Sequence, residues 1–215
     1  MAKKTPQIHL RRRQLDQRYS MQRDDLYHVP TGLPVPMDDG ATDHLVGSEL
    51  PAITLAGTDE RTDYLRDAGR RSTVFFFYPR TGQPHVPAPD GWDAIPGARG
   101  CTPQNAAYRD KYAEFNRLGV HVFGVSVQSS AYQQEFAKRN HIPFPILSDE
   151  GGEWVRAARL PTFDFNGQTL TKRFTLFVEG GIVKKVFYPV FPSDKDAEIV
   201  LSWLNIRISC SIIED

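Results

Sequence analysis

The clearest apolar run in the chain covers residues 72–78, where Ser is followed by Thr, Val, three Phe and Tyr. A continuous β-branched and aromatic run between polar neighbours is typical of a strand that is buried on both faces. Pro79 ends this run, and a second run of the same kind covers residues 120–127. The pattern therefore predicts two central strands of a sheet.

The segment between these two strands has helical periodicity over residues 103–118. Thr102 is a suitable N-cap, Pro103 suits the first helical position, and Gly119 suits the end. The apolar face at helical spacing consists of Tyr108, Tyr112, Phe115 and Leu118. Further helices are predicted at residues 62–68, 129–140, 149–160 and 193–204, the last capped by Ser193.

The remaining strands complete the predicted sheet. Short strands are expected at residues 50–55 and 144–147, and longer ones at residues 169–179 and 182–190. The two glycines at residues 180–181 suit a two-residue hairpin turn. Because alternating strands and helices give parallel strands joined by right-handed crossovers, we predict an α/β protein whose central mixed sheet is flanked by helices.

The two ends of the chain lack this pattern. Residues 1–45 are interpreted as a flexible basic extension and linker, residues 46–205 as the ordered domain, and residues 206–215 as a C-terminal tail. Seven Lys or Arg against three Asp give residues 1–30 a charge of +4, so the remainder carries −4 in a chain of zero net charge. The three arginines at residues 11–13 have an alternative interpretation as a nuclear signal or a phosphate-binding arm.

Charge and cysteine content restrict the class of protein. Zero net charge gives the whole chain no electrostatic reason to bind nucleic acid or membranes. No run reaches the roughly 18 apolar residues of a membrane span, and the N-terminus has no apolar core of a secretory signal. The two cysteines, Cys101 and Cys210, lie far apart and do not make a disulfide framework. A reducing, cytoplasmic location is therefore predicted.

Cys101 lies at the start of the helix predicted from residue 103. The first turn of a helix has free N–H groups and a partial positive charge, so it stabilises a thiolate, the nucleophilic form of cysteine. Gly100 before it allows close approach of the backbone. On placement alone, a reactive cysteine and a small buried apolar side chain are equally good interpretations.

Two sequence motifs resemble the active site of the peroxiredoxins. Residues 75–79 (Phe-Phe-Phe-Tyr-Pro) and 100–104 (Gly-Cys-Thr-Pro-Gln) resemble the active-site strand and helix start of that family, above all of the group related to bacterioferritin comigratory protein. Residues 172–178, followed by two glycines, resemble the strand that carries the family's active-site arginine, here Arg173. The resemblance covers about residues 46–205 and implies a thioredoxin-like fold.

The resemblance also implies a reaction. Cys101 would attack a peroxide as the thiolate, Arg173 would polarise the peroxide through charge-assisted hydrogen bonds, and an external thiol would reduce the resulting sulfenic acid. No cofactor is implied. The expected partners are hydrogen peroxide or an organic hydroperoxide as substrate, thioredoxin, glutaredoxin or glutathione as reductant, and a second copy of the chain in a homodimer.

Three positions depart from the family pattern. Ala98 stands where the family has a Thr or Ser that contacts peroxide, and Thr81 is predicted to take its place, with residues 82–95 as an insertion. Ala106 stands where many relatives have a resolving cysteine, so the first helix cannot form a local disulfide. Cys210 is the candidate resolving residue, but its surroundings do not resemble known C-terminal resolving motifs. A one-cysteine mechanism is therefore expected.

Two alternatives to a peroxidase remain open at this point. In a redox sensor or interaction protein the cysteine would oxidise without efficient turnover, which the alanines at residues 98 and 106 favour. A redoxin recruited to other thiol or biosynthetic chemistry fits the same residues. Metal and phosphate sites are not indicated, because the six histidines lack metal-ligand spacing and no phosphate-binding glycine loop is present.

Overall fold

The computed structural model describes residues 26–62, 64–68 and 70–213, with side chains up to residue 209. The strands in this part of the chain are β1 (Ala56–Gly57), β2 (Thr73–Phe77), β3 (His121–Ser126), β4 (Ile146–Ser148), β5 (Thr162–Phe165), β6 (Gln168–Thr171), β7 (Phe174–Glu179) and β8 (Ile182–Phe187). The α-helices are α1 (Tyr64–Ala68), α2 (Cys101–Arg117), α3 (Ser130–Arg139), α4 (Glu153–Ala158) and α5 (Asp196–Ile213). Short 3-10 helices lie at Asp43–Leu45, Trp92–Ala94 and Ser193–Lys195.

The main sheet has the strand order β1-β4-β3-β2-β7-β8. Strands β2, β3 and β4 are parallel to one another, whereas β7 pairs antiparallel with β2 and β8 pairs antiparallel with β7. Strands β5 and β6 form a separate two-stranded sheet. The structure therefore confirms the predicted α/β fold with a mixed central sheet.

Strand β2 is buried on both faces, as its sequence predicts. Phe75 and Phe77 pack into a core layer that contains Trp154 of α4. Phe76 packs into the opposite layer, where its ring stacks on Tyr108 of α2 with a centroid distance of 4.0 Å. Helices α1 and α4 cover the first face of the sheet, and α2, α3 and α5 cover the second.

Two strand predictions were wrong. The segment expected as a strand at residues 50–55 is irregular, with a tight turn in which the N–H of Ile53 donates to the carbonyl oxygen of Pro51 at 2.9 Å, and the first strand is β1. The single strand expected at residues 169–179 is two strands, because the chain leaves the ladder at residues 172–173, and β5 was not predicted at all. This interruption frees Arg173 to reach across to the segment before α2.

Helix ends also differ from the prediction. Helix α2 begins at Cys101 with Gly100 as its N-cap, so Thr102 is a buried helical residue and not the cap. The last helix was expected to begin at Ser193, but this residue begins a separate 3-10 helix, and its buried hydroxyl has no hydrogen-bond partner among the described residues. Helix α5 continues to residue 213, so residues 206–213 of the predicted C-terminal tail are helical. By contrast, Ser129 caps α3 as expected, since its hydroxyl accepts the N–H of Tyr132.

The predicted extension contacts the domain near its end. Leu45 is 2% exposed and belongs to the core layer that contains Trp154. Asp39 forms an ion pair with Lys172 and accepts a hydrogen bond from the hydroxyl of Tyr188 at 2.7 Å. Residues 39 and 45 of the predicted extension therefore contact the ordered domain, and the arginines at residues 11–13 lie outside the described residues. None of the helices in the described part of the chain has the length and apolar character needed to span a bilayer.

Candidate active site

The connection between β2 and α2 is long, but it is held in place. Trp92, at the start of its 3-10 helix, is buried against Phe165 and Leu170 of the β5–β6 hairpin. The guanidinium of Arg80 lies over the indole of Trp92, at 5.8 Å from the ring centroid. These contacts hold Trp92, near the C-terminal end of the predicted insertion, against the β5–β6 hairpin and beneath Arg80.

Gly100 sets the position of Cys101 at the first residue of α2. Its φ of 98° lies in the left-handed region, and a Cβ at this position would lie 2.1 Å from Oγ of Ser193. A residue with a side chain would therefore be strained at this position on both counts. Cys101 follows with 4% of its surface exposed, and its Sγ lies 3.5 Å from the carbonyl oxygen of Ala98.

Arg173 contacts the sulfur of Cys101 directly. Its Nη2 donates to Sγ at 3.1 Å and also to the carbonyl oxygens of Ala98 and Arg99, both at 3.1 Å. Its Nε donates to the carbonyl oxygen of Gly97 at 3.2 Å. The guanidinium is thus held by the backbone that leads into α2, and its charge faces the sulfur.

A second layer of polar groups lies behind this arginine. Nη1 of Arg173 donates to Oε1 of Gln104, and Nε2 of Gln104 donates to Oδ2 of Asp196 at 2.7 Å. The same carboxylate oxygen accepts the hydroxyls of Tyr108 at 3.0 Å and Thr175 at 2.7 Å. Burial raises the pKa of Asp196 above its ordinary value, and this effect outweighs the three hydrogen bonds to the carboxylate, each of which lowers the pKa.

Thr81 shares a cavity with Cys101. Its hydroxyl donates to Oε1 of Gln128 at 3.2 Å, its N–H donates to the same oxygen at 2.8 Å, and its carbonyl oxygen accepts the hydroxyl of Tyr132 at 2.8 Å. The cavity that both residues line has a volume of about 730 Å³ and lies under the connection between β2 and α2. The fold therefore brings Cys101, Arg173 and Thr81 to one region.

Comparison with known proteins identifies the family. The family model described as Redoxin matches residues 45–201. The chain is 31% identical over 160 residues to chloroplastic peroxiredoxin Q of Sedum lineare, which covers 74% of this chain and 77% of that protein. The chain belongs to the peroxiredoxin family. It is also 32% identical over 150 residues to chloroplastic peroxiredoxin Q of Oryza sativa subsp. japonica, covering 69% of this chain but only 61% of the length of the rice protein.

Solved structures show the same fold for this peroxiredoxin. The bacterioferritin comigratory protein of Xanthomonas campestris, in a study of its alkyl peroxide reduction activity, superposes with a TM-score of 0.58 at 20% identity, covering 81% of this chain and 98% of that one. The predicted thioredoxin-like fold is thus confirmed, and the predicted membership of the peroxiredoxin family is confirmed by the family model and the plant relatives.

The site of this peroxiredoxin also contains residues that the sequence did not single out. Gln104 lies three residues after Cys101, a spacing that places both on one side of a helix, so it could have been found. Asp196 offered no such signal, because it stands beside Asp194 and Lys195 in a segment that resembles an exposed helix start. Cys210 has a backbone position in α5, but its side chain lies outside the described residues.

Proposed function

We propose that this chain is a thiol-dependent peroxidase that reduces hydrogen peroxide or organic hydroperoxides, with Cys101 as the nucleophile. The observation that carries the proposal is the contact of 3.1 Å between Nη2 of Arg173 and Sγ of Cys101 at the start of a helix. The guanidinium and the N–H groups of the helix start place hydrogen-bond donors and positive charge beside the sulfur, where they would stabilise negative charge during the reaction. The peroxiredoxin Q names of the relatives and the alkyl peroxide reduction named for the Xanthomonas protein support the same reaction.

The first half-reaction follows from these contacts. The thiolate of Cys101 attacks one peroxide oxygen, an S–O bond forms, and the O–O bond breaks. The leaving oxygen departs as hydroxide or alkoxide and takes a proton, which gives water or an alcohol and leaves a sulfenic acid. Arg173 stabilises the charge that moves from sulfur to oxygen, because its guanidinium is already in place before the reaction.

Thr81 supplies an acceptor for the peroxide. Its hydroxyl hydrogen is directed to Gln128, so the lone pairs of Oγ1 remain for the O–H group of a hydroperoxide. This role replaces the hydroxyl that the family has at the position of Ala98. Thr81 therefore orients the peroxide, and Cys101 and Arg173 carry out the chemistry.

The second half-reaction requires a thiol from outside the site. Ala106 excludes a local disulfide within α2, and Cys210 stands in the last turns of α5, so the proposal is a one-cysteine cycle with Cys210 as the candidate alternative. The wide spacing of the two cysteines supports a reducing, cytoplasmic location, although the plant relatives are named as chloroplastic. A homodimer is proposed from the family resemblance alone.

The test follows Cys101 by intact mass after addition of one equivalent of hydrogen peroxide to the reduced protein. The expected result is rapid gain of one oxygen in the wild type and in Cys210→Ser, and none in Cys101→Ser. Oxidation that needs a large excess of peroxide would contradict a peroxidase and favour the redox sensor instead. Oxygen gain that persists in Cys101→Ser would show that the nucleophile is wrongly assigned.

A further inference from the structure

The chain before the region matched by the Redoxin family model lies against the proposed active site. A Cβ at Gly82 would lie 3.0 Å from Cδ2 of Leu26, and a Cβ at Gly100 would lie 3.5 Å from Cγ2 of Val29. In the sequence, these two glycines adjoin the proposed peroxide acceptor and the proposed nucleophile. Because glycine has no side chain, another segment can approach its backbone closely. Residues 26–29 therefore lie beside both positions.

Contacts later in the chain hold this segment against the domain. A Cβ at Gly97 would lie 3.5 Å from Cγ of Pro36, so the chain follows the residues that lead into α2. Asp39 pairs with Lys172, the neighbour of Arg173, and the hydrogen bond from Lys172 lowers the pKa of the Asp39 carboxyl to about 2. The ion pair is therefore fully charged at neutral pH, and it fixes the path of the extension beside the site.

Leu26 brings an apolar side chain of this segment into the cavity wall. It is half-buried and lines the cavity together with Cys101 and Thr81. Further apolar lining comes from the connection between β2 and α2, and it includes Val86, Pro87, Pro89 and Trp92. A group attached to a bound peroxide could therefore contact apolar side chains from two separate parts of the chain.

The cavity has room for much more than hydrogen peroxide. Its volume of about 730 Å³ lies within the range of sites that hold drug-sized molecules, roughly 300 to 1,000 Å³. Hydrogen peroxide has no apolar group, so an apolar wall adds little to its binding. An organic hydroperoxide instead gains free energy in proportion to the apolar surface that it buries. An apolar side chain in the wall thus discriminates between the two kinds of peroxide.

We propose that residues 26–29 form a substrate-recognition wall, in which Leu26 contacts the organic group of a hydroperoxide and selects bulky apolar hydroperoxides over hydrogen peroxide; this inference rests on the proposed function. The thiolate of Cys101 attacks the terminal oxygen, an S–O bond forms, the O–O bond breaks, and the alkoxide takes a proton and leaves as the alcohol. Because the organic group stays on the leaving oxygen, the wall contacts substrate and alcohol product alike. Binding of the alcohol therefore reports on the wall without any peroxide chemistry.

The test compares oxidation of Cys101 by cumene hydroperoxide and by hydrogen peroxide in the full chain carrying Cys210→Ser. Stopped-flow gives the two rate constants, intact mass confirms the gain of one oxygen, and the readout is the ratio of the two constants. Leu26→Ala is expected to lower the ratio of cumene hydroperoxide to hydrogen peroxide about ten-fold. Leu26→Met keeps the apolar volume and should retain the ratio. Val35→Ala is the matched control, because Val35 is 64% exposed in the same extension and does not line the cavity.

A second arm measures binding of 2-phenyl-2-propanol, the alcohol formed from cumene hydroperoxide, to the reduced protein by NMR titration. Its affinity should fall about ten-fold in Leu26→Ala and stay constant in Val35→Ala. Equal ratios and equal affinities in these two variants would overturn the inference and leave the peroxidase proposal standing. Faster oxidation of Leu26→Ala by both peroxides would also overturn it, since the segment would then only obstruct the site. Weaker alcohol binding in Leu26→Ala, in a protein that neither peroxide oxidises, would refute the peroxidase and support the wall.

Discussion

The amide of Gln104 connects the buried carboxylate of Asp196 to the arginine that contacts the sulfur of Cys101. Its nitrogen donates to Asp196 at 2.7 Å, and its oxygen accepts Nη1 of Arg173. Because Asp196 here only accepts and Arg173 can only donate, the amide has one orientation that satisfies both. The first residue of α5 thus influences the group that contacts Cys101 at the start of α2.

Removal of this amide should slow the reaction of Cys101 with peroxide. Gln104→Leu has similar size but leaves two buried polar partners unsatisfied, at about 1–3 kcal/mol each. Since Arg173 loses one of its fixed acceptors, we expect the rate of sulfenic acid formation to fall about ten-fold, as measured by stopped-flow with hydrogen peroxide. Gln168→Leu, exposed on β6, is the matched control and should keep the wild-type rate. Equal rates in the two variants would show that Gln104 does not position the arginine.

The ionisation of Asp196 should appear in the pH dependence of stability. Burial raises the pKa of Asp196 from its ordinary value of 3.8, so the folded state holds this proton more tightly than the unfolded state. The contribution of Asp196 to the free energy of unfolding is therefore fully present below pH 3.8, and it is lost as the pH rises through the pKa of the folded state. Asp196→Asn lacks this component.

The measurement is urea unfolding of the wild type and of Asp196→Asn at pH values from about 3 to about 8. We expect the free energy of unfolding of the wild type, relative to the variant, to decrease with rising pH and then to level off. Parallel curves would mean that Asp196 titrates equally in both states. The slope, and not the absolute stability, is the decisive quantity, because the substitution also changes the hydrogen bonds to Tyr108 and Thr175.

Loss of the hydroxyl at residue 81 should weaken peroxidase activity without unfolding the site. Thr81→Ala removes the acceptor proposed for the hydroperoxide but keeps the backbone bonds to Gln128 and Tyr132. We expect kcat/KM for peroxide to fall about ten-fold, on the scale of one hydrogen bond. Thr81→Ser should retain most of the activity. An unchanged rate in Thr81→Ala would exclude this residue from the reaction.

The contact between Gly100 and Ser193 should make residue 100 intolerant of any side chain. Gly100→Ala places a Cβ 2.1 Å from the Ser193 oxygen, so we expect a loss of stability of about 2–4 kcal/mol and slower oxidation of Cys101. Gly119→Ala is the control, because Gly119 also has positive φ but nothing within 4 Å, and it should cost only about 1–2 kcal/mol. Chemical denaturation checks both values. Ser193→Gly combined with Gly100→Ala should recover part of the loss; no recovery would show that the clash is not the cause.

Sequence patterns predicted the elements that are determined by residues adjacent in the sequence. A few neighbouring residues are enough to predict three features: the buried strand β2 from its apolar run, the start of α3 from its capping serine, and the last hairpin from its two glycines. The break before β7 could not be predicted, because it depends on Arg173 meeting carbonyl groups about 75 residues earlier in the chain. The same holds for the burial of Asp196, which follows the charged residues Asp194 and Lys195. The candidate nucleophile was accessible to sequence reasoning, but the polar layer behind it was not.

The position of Trp92 gives the protein an optical reporter. Its indole is 5% exposed in the cavity wall beneath Arg80. Trp154 lies in the core layer that contains Phe75, and Trp203 of α5 packs against the rings of Phe177 and Phe187. A molecule that enters the cavity should therefore change the fluorescence of one indole and leave the other two almost constant. Trp154→Phe with Trp203→Phe would isolate that emission, so that the arrival and departure of unlabelled substrates could be timed directly.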